Sequence, residues 1–186
     1  TNSLLDINVF GRRAGIAAAE YANEVTEAPS LPADAAARID GLVTKLLDSV
    51  GSGGERIADL RRELQETMDR NVQVFRDEAS MTEAAQVVAD LKSRYEGIAI
   101  HDRGKRFNTD LLEAIELGFL IDLAEVVVAG ALARKESRGG HYREDYPTRD
   151  DENFMVHTMA YAASDGVKLD YKPVVVTKYQ PMERKY

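Results

Sequence analysis

The densest grouping of residues able to do chemistry is Arg138, His141, Arg143, Asp145 and Arg149, close together in a stretch that has no helical period. A histidine among arginines and carboxylates can serve as an acid or base near neutral pH. The same residue types also build ion-pair networks, because a guanidinium grips a carboxylate with two parallel hydrogen bonds. The expectation is a structural polar network of Arg138, His141, Arg143 and Asp145 that pins a long loop. The neighbouring run Arg149, Asp150, Asp151 and Glu152 reads as a solvated turn rather than a catalytic carboxylate pair. No catalytic residue is assigned.

Two further groupings and one serine have residue types that could form a site. Glu113 and Glu116, with Asp122 and Glu125 nearby, have the helical spacing of a carboxylate-bridged metal centre. Such centres in helix bundles use a Glu-x-x-His partner, and none lies on these helices, so solvated or salt-bridged faces are expected and no metal. His101, Arg103, Lys105 and Arg106 form a basic turn without a Gly-rich phosphate loop, which favours a structural or interdomain role. Ser3 has no base beside it. Its place at a predicted helix start is more informative, since free N–H groups there attract anionic or electron-rich oxygen.

Composition narrows the classes. The 186 residues carry a formal charge of -8 spread along the chain, without the basic stripe that a nucleic-acid surface needs. There is no cysteine, which removes disulfides, thiolate metal sites and cysteine nucleophiles. The apolar run Leu117 to Leu132 is interrupted by Asp122 and Glu125 and is too short to span a bilayer, so it reads as a core helix and no transmembrane segment is expected. Thr1 to Ala19 has neither an initiator methionine nor signal-peptide features and reads like the middle of a longer protein.

The elements that must position these groups are mostly helices. Ser3 to about Asn23 forms one, capped by Asn2 or Ser3, and its small residues invite close neighbours on more than one side. Glu27 to Ala33, with Pro29 and Pro32, reads as a linker. Four amphipathic helices follow. The first carries Ile39, Leu42, Val43, Leu46, Leu47 and Val50 and stops at Gly51 to Gly54. The second repeats Ile57, Leu60, Leu64, Met68, Val72 and Phe75. The third opens with a Ser80/Glu83 capping box and buries Ala84, Val88, Leu91 and Tyr95, and the fourth runs from about Asn108 to Lys135. Arg138 to Phe154 reads as an ordered loop. Met155 to Tyr161 and the alternation Val167, Leu169, Tyr171 read as a hairpin turning near Asp165 and Gly166, with Pro173 limiting its extent. The fold class expected is mainly α: an up-and-down, spectrin-repeat-like bundle with a long polar loop and a short β tail.

Three strings, NSLLDINVFGRRAG from Asn2 to Gly15, FNTDLLEAIELG from Phe107 to Gly118 and ESRGGHYREDYP from Glu136 to Pro147, closely resemble the flavoprotein subunits of succinate dehydrogenase and fumarate reductase. The closing stretch from Val167 to Tyr186 looks most like the succinate dehydrogenase branch of actinobacterial type. The ESRGGH string is similar to one in L-aspartate oxidases too, so it does not choose the branch. The resemblance implies a parent enzyme that oxidises succinate to fumarate with FAD and passes electrons through an iron-sulfur subunit to quinone, at the cytoplasmic face of the inner membrane. It implies that Ser3 and Leu4 touch FAD in the intact subunit. It also implies three parts: 1–28, the last helix of the FAD-binding domain; 29–137, the helical bundle; and 138–186, the loop and strand extension. The family's dinucleotide fingerprint, flavin-attaching histidine and capping domain would lie upstream, as would its substrate arginine. This chain alone is therefore expected to bind no FAD tightly and to be inactive. Its partners would be the missing FAD and capping domains and the iron-sulfur subunit. Two alternatives remain, a free-standing helical scaffold and one half of a split flavoenzyme.

Overall fold

A computed structural model describes residues 3–28, 30–49, 53–164 and 166–182. The cap at Asn2, the break at Pro29, the stop at Val50 and Gly51 and the turn residue Asp165 lie outside them. The chain divides into two units, Thr1–Arg38 and Ile39–Tyr186.

The first unit is built on α1, Ser3–Glu24, with Asp6 in its first turn, where a carboxylate favours the positive end of the helix. Taken by itself the helix has no buried residue. Leu4, Leu5, Ile7, Val9, Phe10, Ile16 and Tyr21 are all exposed. Arg13 lies over the Phe10 ring at 5.7 Å.

In the second unit the hydrophobic spacing dictates the packing. Helix α3, Ile57–Asn71, buries Ile57, Leu60, Leu64, Thr67 and Asn71. Helix α4, Glu78–Tyr95, buries Met81, Ala84, Val88 and Leu91. Helix α5, Thr109–Ala133, buries Ala114, Leu117, Ile121, Ala124, Val128 and Ala131. In each the buried positions alternate steps of three and four, the period that keeps one seam facing its neighbours when helices pack nearly aligned. The three helices pack pairwise on one another. Helix α2, Ala37–Asp48, adds buried Leu46 to the same core, with Leu42 and Leu47 partly buried against it. The architecture is mainly α, as expected, with three of the four predicted helices forming the bundle proper.

Close backbone approach explains one glycine. A Cβ on Gly54 would stand 2.3 Å from the Gly97 carbonyl oxygen, where the segments before α3 and after α4 run side by side and pair as a parallel bridge between Glu55 and Ile98. Two helix boundaries differ from the expectation. Helix α3 ends at Asn71, and Phe75, predicted on its inner stripe, is 68% exposed in the connection that follows. The capping box of α4 is Asp77 with Ser80 rather than Ser80 with Glu83. Asp77 accepts the Ser80 N–H at 2.7 Å and its own N–H donates to Ser80 Oγ at 3.1 Å, so the helix starts earlier than the Ser80 reading requires.

Beyond α5 the chain is irregular until α6, Asp151–Phe154, a single turn where only loop was expected. Asp150 caps it, accepting the N–H groups of Glu152 and Asn153. Strands β1, Val156–Ala163, and β2, Gly166–Pro173, then pair antiparallel from Val156 opposite Pro173 to Ala163 opposite Gly166. Gly166 has φ +122, a conformation open to glycine but strained for other residues. The hairpin leans on α5. One face of α5 stays uncovered: Leu112, Phe119, Leu120, Leu123, Val126 and Val127 are exposed and recur at helical spacing along one stripe.

Candidate functional site

The polar loop is organised around two buried groups of opposite sign. Glu136, fully buried, accepts from Arg138 Nε at 2.8 Å and Nη2 at 3.0 Å, from the Asp150 N–H at 2.8 Å and from Arg134. Arg134 also donates to the carbonyls of Phe154 and Val156, at 3.1 and 2.6 Å. Arg138 reaches Asp151 at 2.6 Å. One carboxylate thus ties the end of α5 to α6 and β1. Burial pushes the Glu136 carboxyl up, but Arg138, the Asp150 N–H and Arg134 outweigh it and hold it below its ordinary value.

Arg143 is the second buried group. It pairs with Asp145 at 2.8 and 2.5 Å and with Glu78 at 3.1 Å, and it donates to the carbonyls of Ala131 and Leu132 at 3.4 and 3.0 Å. Those carbonyls belong to the last turn of α5, which lacks intrahelical partners and carries the negative end of the helix dipole. Asp145 in turn accepts the Glu78 N–H at 3.0 Å, at the positive end of α4. A single arginine–aspartate pair therefore caps two helices at once. Its guanidinium partner holds the Asp145 carboxyl down to about 2.

His141 sits in a tight turn in which it and Arg138 exchange backbone hydrogen bonds of 2.8 and 3.0 Å. Its Nε2 lies 2.9 Å from the Arg134 carbonyl oxygen. A carbonyl only accepts, so Nε2 carries the proton. Burial lowers the pKa of the ring; the Arg134 carbonyl opposes this, and the charges of Arg76, Arg134 and Arg143 lower it further. The neutral ring with Nδ1 unprotonated is the favoured form. Stability from this neutral burial is complete above 6.5 and is lost as pH falls from there towards the lowered folded value. Asp145 contributes stability that is complete above 3.8 and is lost as pH falls towards 2. On acidification the unfolding free energy is expected to decline first through His141 and then, at lower pH, through the carboxylates held below their ordinary values, Asp145 and Glu136 among them. His141→Gln should abolish the upper decline and leave the lower, as denaturant titrations at stepped pH will show; an unchanged upper decline would assign it elsewhere.

Of the sequence-predicted residues, the structure joins Arg143 directly to Asp145 and joins Arg138 to His141 through the backbone. Arg149 pairs with Asp151 at 2.8 Å. Ser3 and Leu4 lie in the first turn of α1, in the first unit, and both are exposed. Helix α1 offers its first-turn N–H groups and buries none of its residues, whereas a flavin is held in a pocket that covers most of it. Glu116 lies 3.6 Å from Arg61, and Asp122 and Glu125 share Lys92 at 3.2 and 2.5 Å. Among the described residues no group of three or more could hold a metal.

The basic turn is shaped by acceptors. Asp110 accepts the N–H groups of His101 and Asp102, and Asn108 donates to the carbonyls of Asp102 and Gly104, both at 2.9 Å. The same Asn108 caps α5 by accepting the Leu111 N–H at 2.8 Å. The residues missed by sequence reasoning are Glu136, Arg134 and Glu78. The alternation Arg134, Glu136, Arg138 was the available signal for the first two; Glu78 is distant in sequence and had none.

A profile of the family described as fumarate reductase flavoprotein C-term matches residues 61–186. The fumarate reductase flavoprotein subunit of Mycobacterium tuberculosis is 40% identical, covering 100% of this chain and 33% of that protein. The succinate dehydrogenase flavoprotein subunit of Rickettsia bellii is 42% identical over 95% of this chain and 30% of its own length. A solved Escherichia coli quinol fumarate reductase superposes with a TM-score of 0.79 at 37% identity, covering 94% of this chain and 30% of that one. The chain spans about a third of the length of the curated relatives it matches. With the helical bundle, the Glu136 and Arg143 loop and these matches together, the chain belongs to the C-terminal family of succinate dehydrogenase and fumarate reductase flavoprotein subunits.

Proposed function

We propose that this chain works as the C-terminal helical region of a succinate dehydrogenase flavoprotein subunit and is not catalytic by itself. Residues 1–28 are then the last helix of the FAD-binding domain, 29–137 the helical bundle, and 138–186 the loop and strand extension. In the parent subunit, succinate is oxidised to fumarate; FAD supplies the two-electron acceptor, and an iron-sulfur subunit carries electrons to quinone at the cytoplasmic face of the membrane. Ser3 and Leu4 would contact the flavin from the start of α1, where N–H groups favour negative charge. This chain's own part is mechanical: the Glu136 and Arg143 networks hold the loop, α6 and the hairpin against α5.

The observation that carries this reading is the uncovered stripe Leu112, Phe119, Leu120, Leu123, Val126 and Val127 on a chain that belongs to this family. A contiguous apolar face of that length marks a surface meant to be covered. The apolar side chains of α1, exposed within its own unit, support the same reading over the free-standing scaffold. No described helix is long and apolar enough to cross a membrane. The test is succinate-dependent dye reduction. The chain with added FAD should be inactive where the longer subunit is active; turnover by the chain alone would overturn the proposal.

A further inference from the structure

The connection 72–77 between α3 and α4 is clamped to the polar loop. The Glu144 N–H donates to the Arg76 carbonyl at 2.9 Å, and Arg143 bridges to Glu78 at 3.1 Å. On this clamp Phe75 and Tyr142, both exposed, form an edge-to-face pair with centroids 6.1 Å apart. Between the two helices Arg76 is anomalous. It is half-buried, its Nε is closed to solvent, and it has no acceptor. Among the described residues no carboxylate pairs with it, whereas Arg134, Arg138, Arg143 and Arg149 each hold one. Burial, and then the charge of Arg143, disfavour its protonated form. A guanidinium left in that state lacks a partner that its surroundings do not supply.

We propose that Phe75, Arg76 and Tyr142 form a docking surface for a carboxylate-bearing segment of the same flavoprotein subunit, lying outside this chain. Aromatic rings beside an arginine are the composition of an interface hot spot. One unpaired guanidinium matches the single charge and planar fork of a carboxylate. A phosphate would call for further unpaired cations or a Gly-rich loop at this place, and the neighbouring Arg143 is already committed to Asp145 and Glu78. The occupant is assigned to the same subunit because about two thirds of the length of the relatives lies outside the matched region. The clamp keeps the surface rigid before docking, which lowers the ordering cost of binding. The inference rests on the proposed function above.

The experiment places a photo-crosslinking phenylalanine analogue at position 142 of the full-length subunit and identifies the attached peptide by mass spectrometry. The expected product joins it to an Asp- or Glu-containing segment upstream in the same polypeptide. Arg76→Glu should cut the yield about ten-fold, the change that ~1.4 kcal/mol of lost pairing produces, while the thermal midpoint of the isolated chain does not fall. Cross-links confined to residues of this chain, cross-links to a separate subunit or to nothing, or a yield indifferent to Arg76→Glu, would each overturn the docking surface. If the longer subunit oxidises succinate and yet shows one of these results, the docking inference alone fails. A longer subunit that has no such activity overturns both it and the function on which it rests.

Discussion

Glu136→Ala is expected to lower the unfolding free energy by roughly 3–5 kcal/mol, the cost of removing one member of a buried charged cluster. The carboxylate is fully buried and takes hydrogen bonds from Arg134, Arg138 and the Asp150 N–H. Without it Arg134 and Arg138 each lose their buried carboxylate partner and the Asp150 N–H loses its acceptor, in a place that water reaches poorly. The damage should spread to α6 and β1, which Arg134 and Arg138 hold only while Glu136 fixes their geometry. Hydrogen exchange should therefore accelerate in Asp151–Phe154 and Val156–Ala163 before it does in α3. An apolar replacement of the whole cluster, with Arg134→Met, Glu136→Leu and Arg138→Met together, should cost less than Glu136→Ala alone, because no orphaned charge remains. Denaturant unfolding of both variants checks this; a loss below about 1 kcal/mol for Glu136→Ala would mean that the cluster behaves as a surface ion pair.

Leu117→Ala is expected to cost about 2–5 kcal/mol, from lost burial and from the cavity left behind. Leu117 is fully buried on the seam of α5 among residues from α3 and α4, and helix ends held by Arg143 and Asn108 limit how far α5 can collapse into the gap. Leu123, on the same helix and 61% exposed, is the control. Leu123→Ala should change the stability of the isolated chain by less than about 0.5 kcal/mol, as surface substitutions do. In the longer subunit the same replacement should be clearly destabilising if the outer stripe is covered there. Equal, small effects in both would remove the main support for the larger assembly.

The parts of the fold set by local rules were legible in the sequence. The three-four spacing of Ile57, Leu60 and Leu64, and of Ala84, Val88 and Leu91, specified the bundle because side chains three and four apart share a helix face. The alternation of Val167, Leu169 and Tyr171 specified a strand for the corresponding reason. Boundaries were less legible. Met68, Val72 and Phe75 continue the helical period, yet the chain leaves the helix at Asn71 because Asp77 and Ser80 start the next helix and the intervening residues must turn. Long-range polar partners were the least legible. Arg143 finds Glu78 across 65 positions, and no spacing rule encodes a pairing that only the juxtaposition of two helix ends creates. Ser3 and Leu4 were singled out by resemblance to a family motif, and their proposed role depends on protein that lies outside this chain.

The claim that this chain is a non-catalytic part of a larger flavoprotein subunit is tested most directly by incubating it with FAD, separating free cofactor by gel filtration and reading the visible flavin absorbance of the protein peak. The account predicts a protein peak without flavin, because α1, which carries Ser3 and Leu4, buries none of its residues while a bound flavin is largely covered. A flavin band retained in proportion to protein would contradict it, and would show that these residues hold the cofactor unaided.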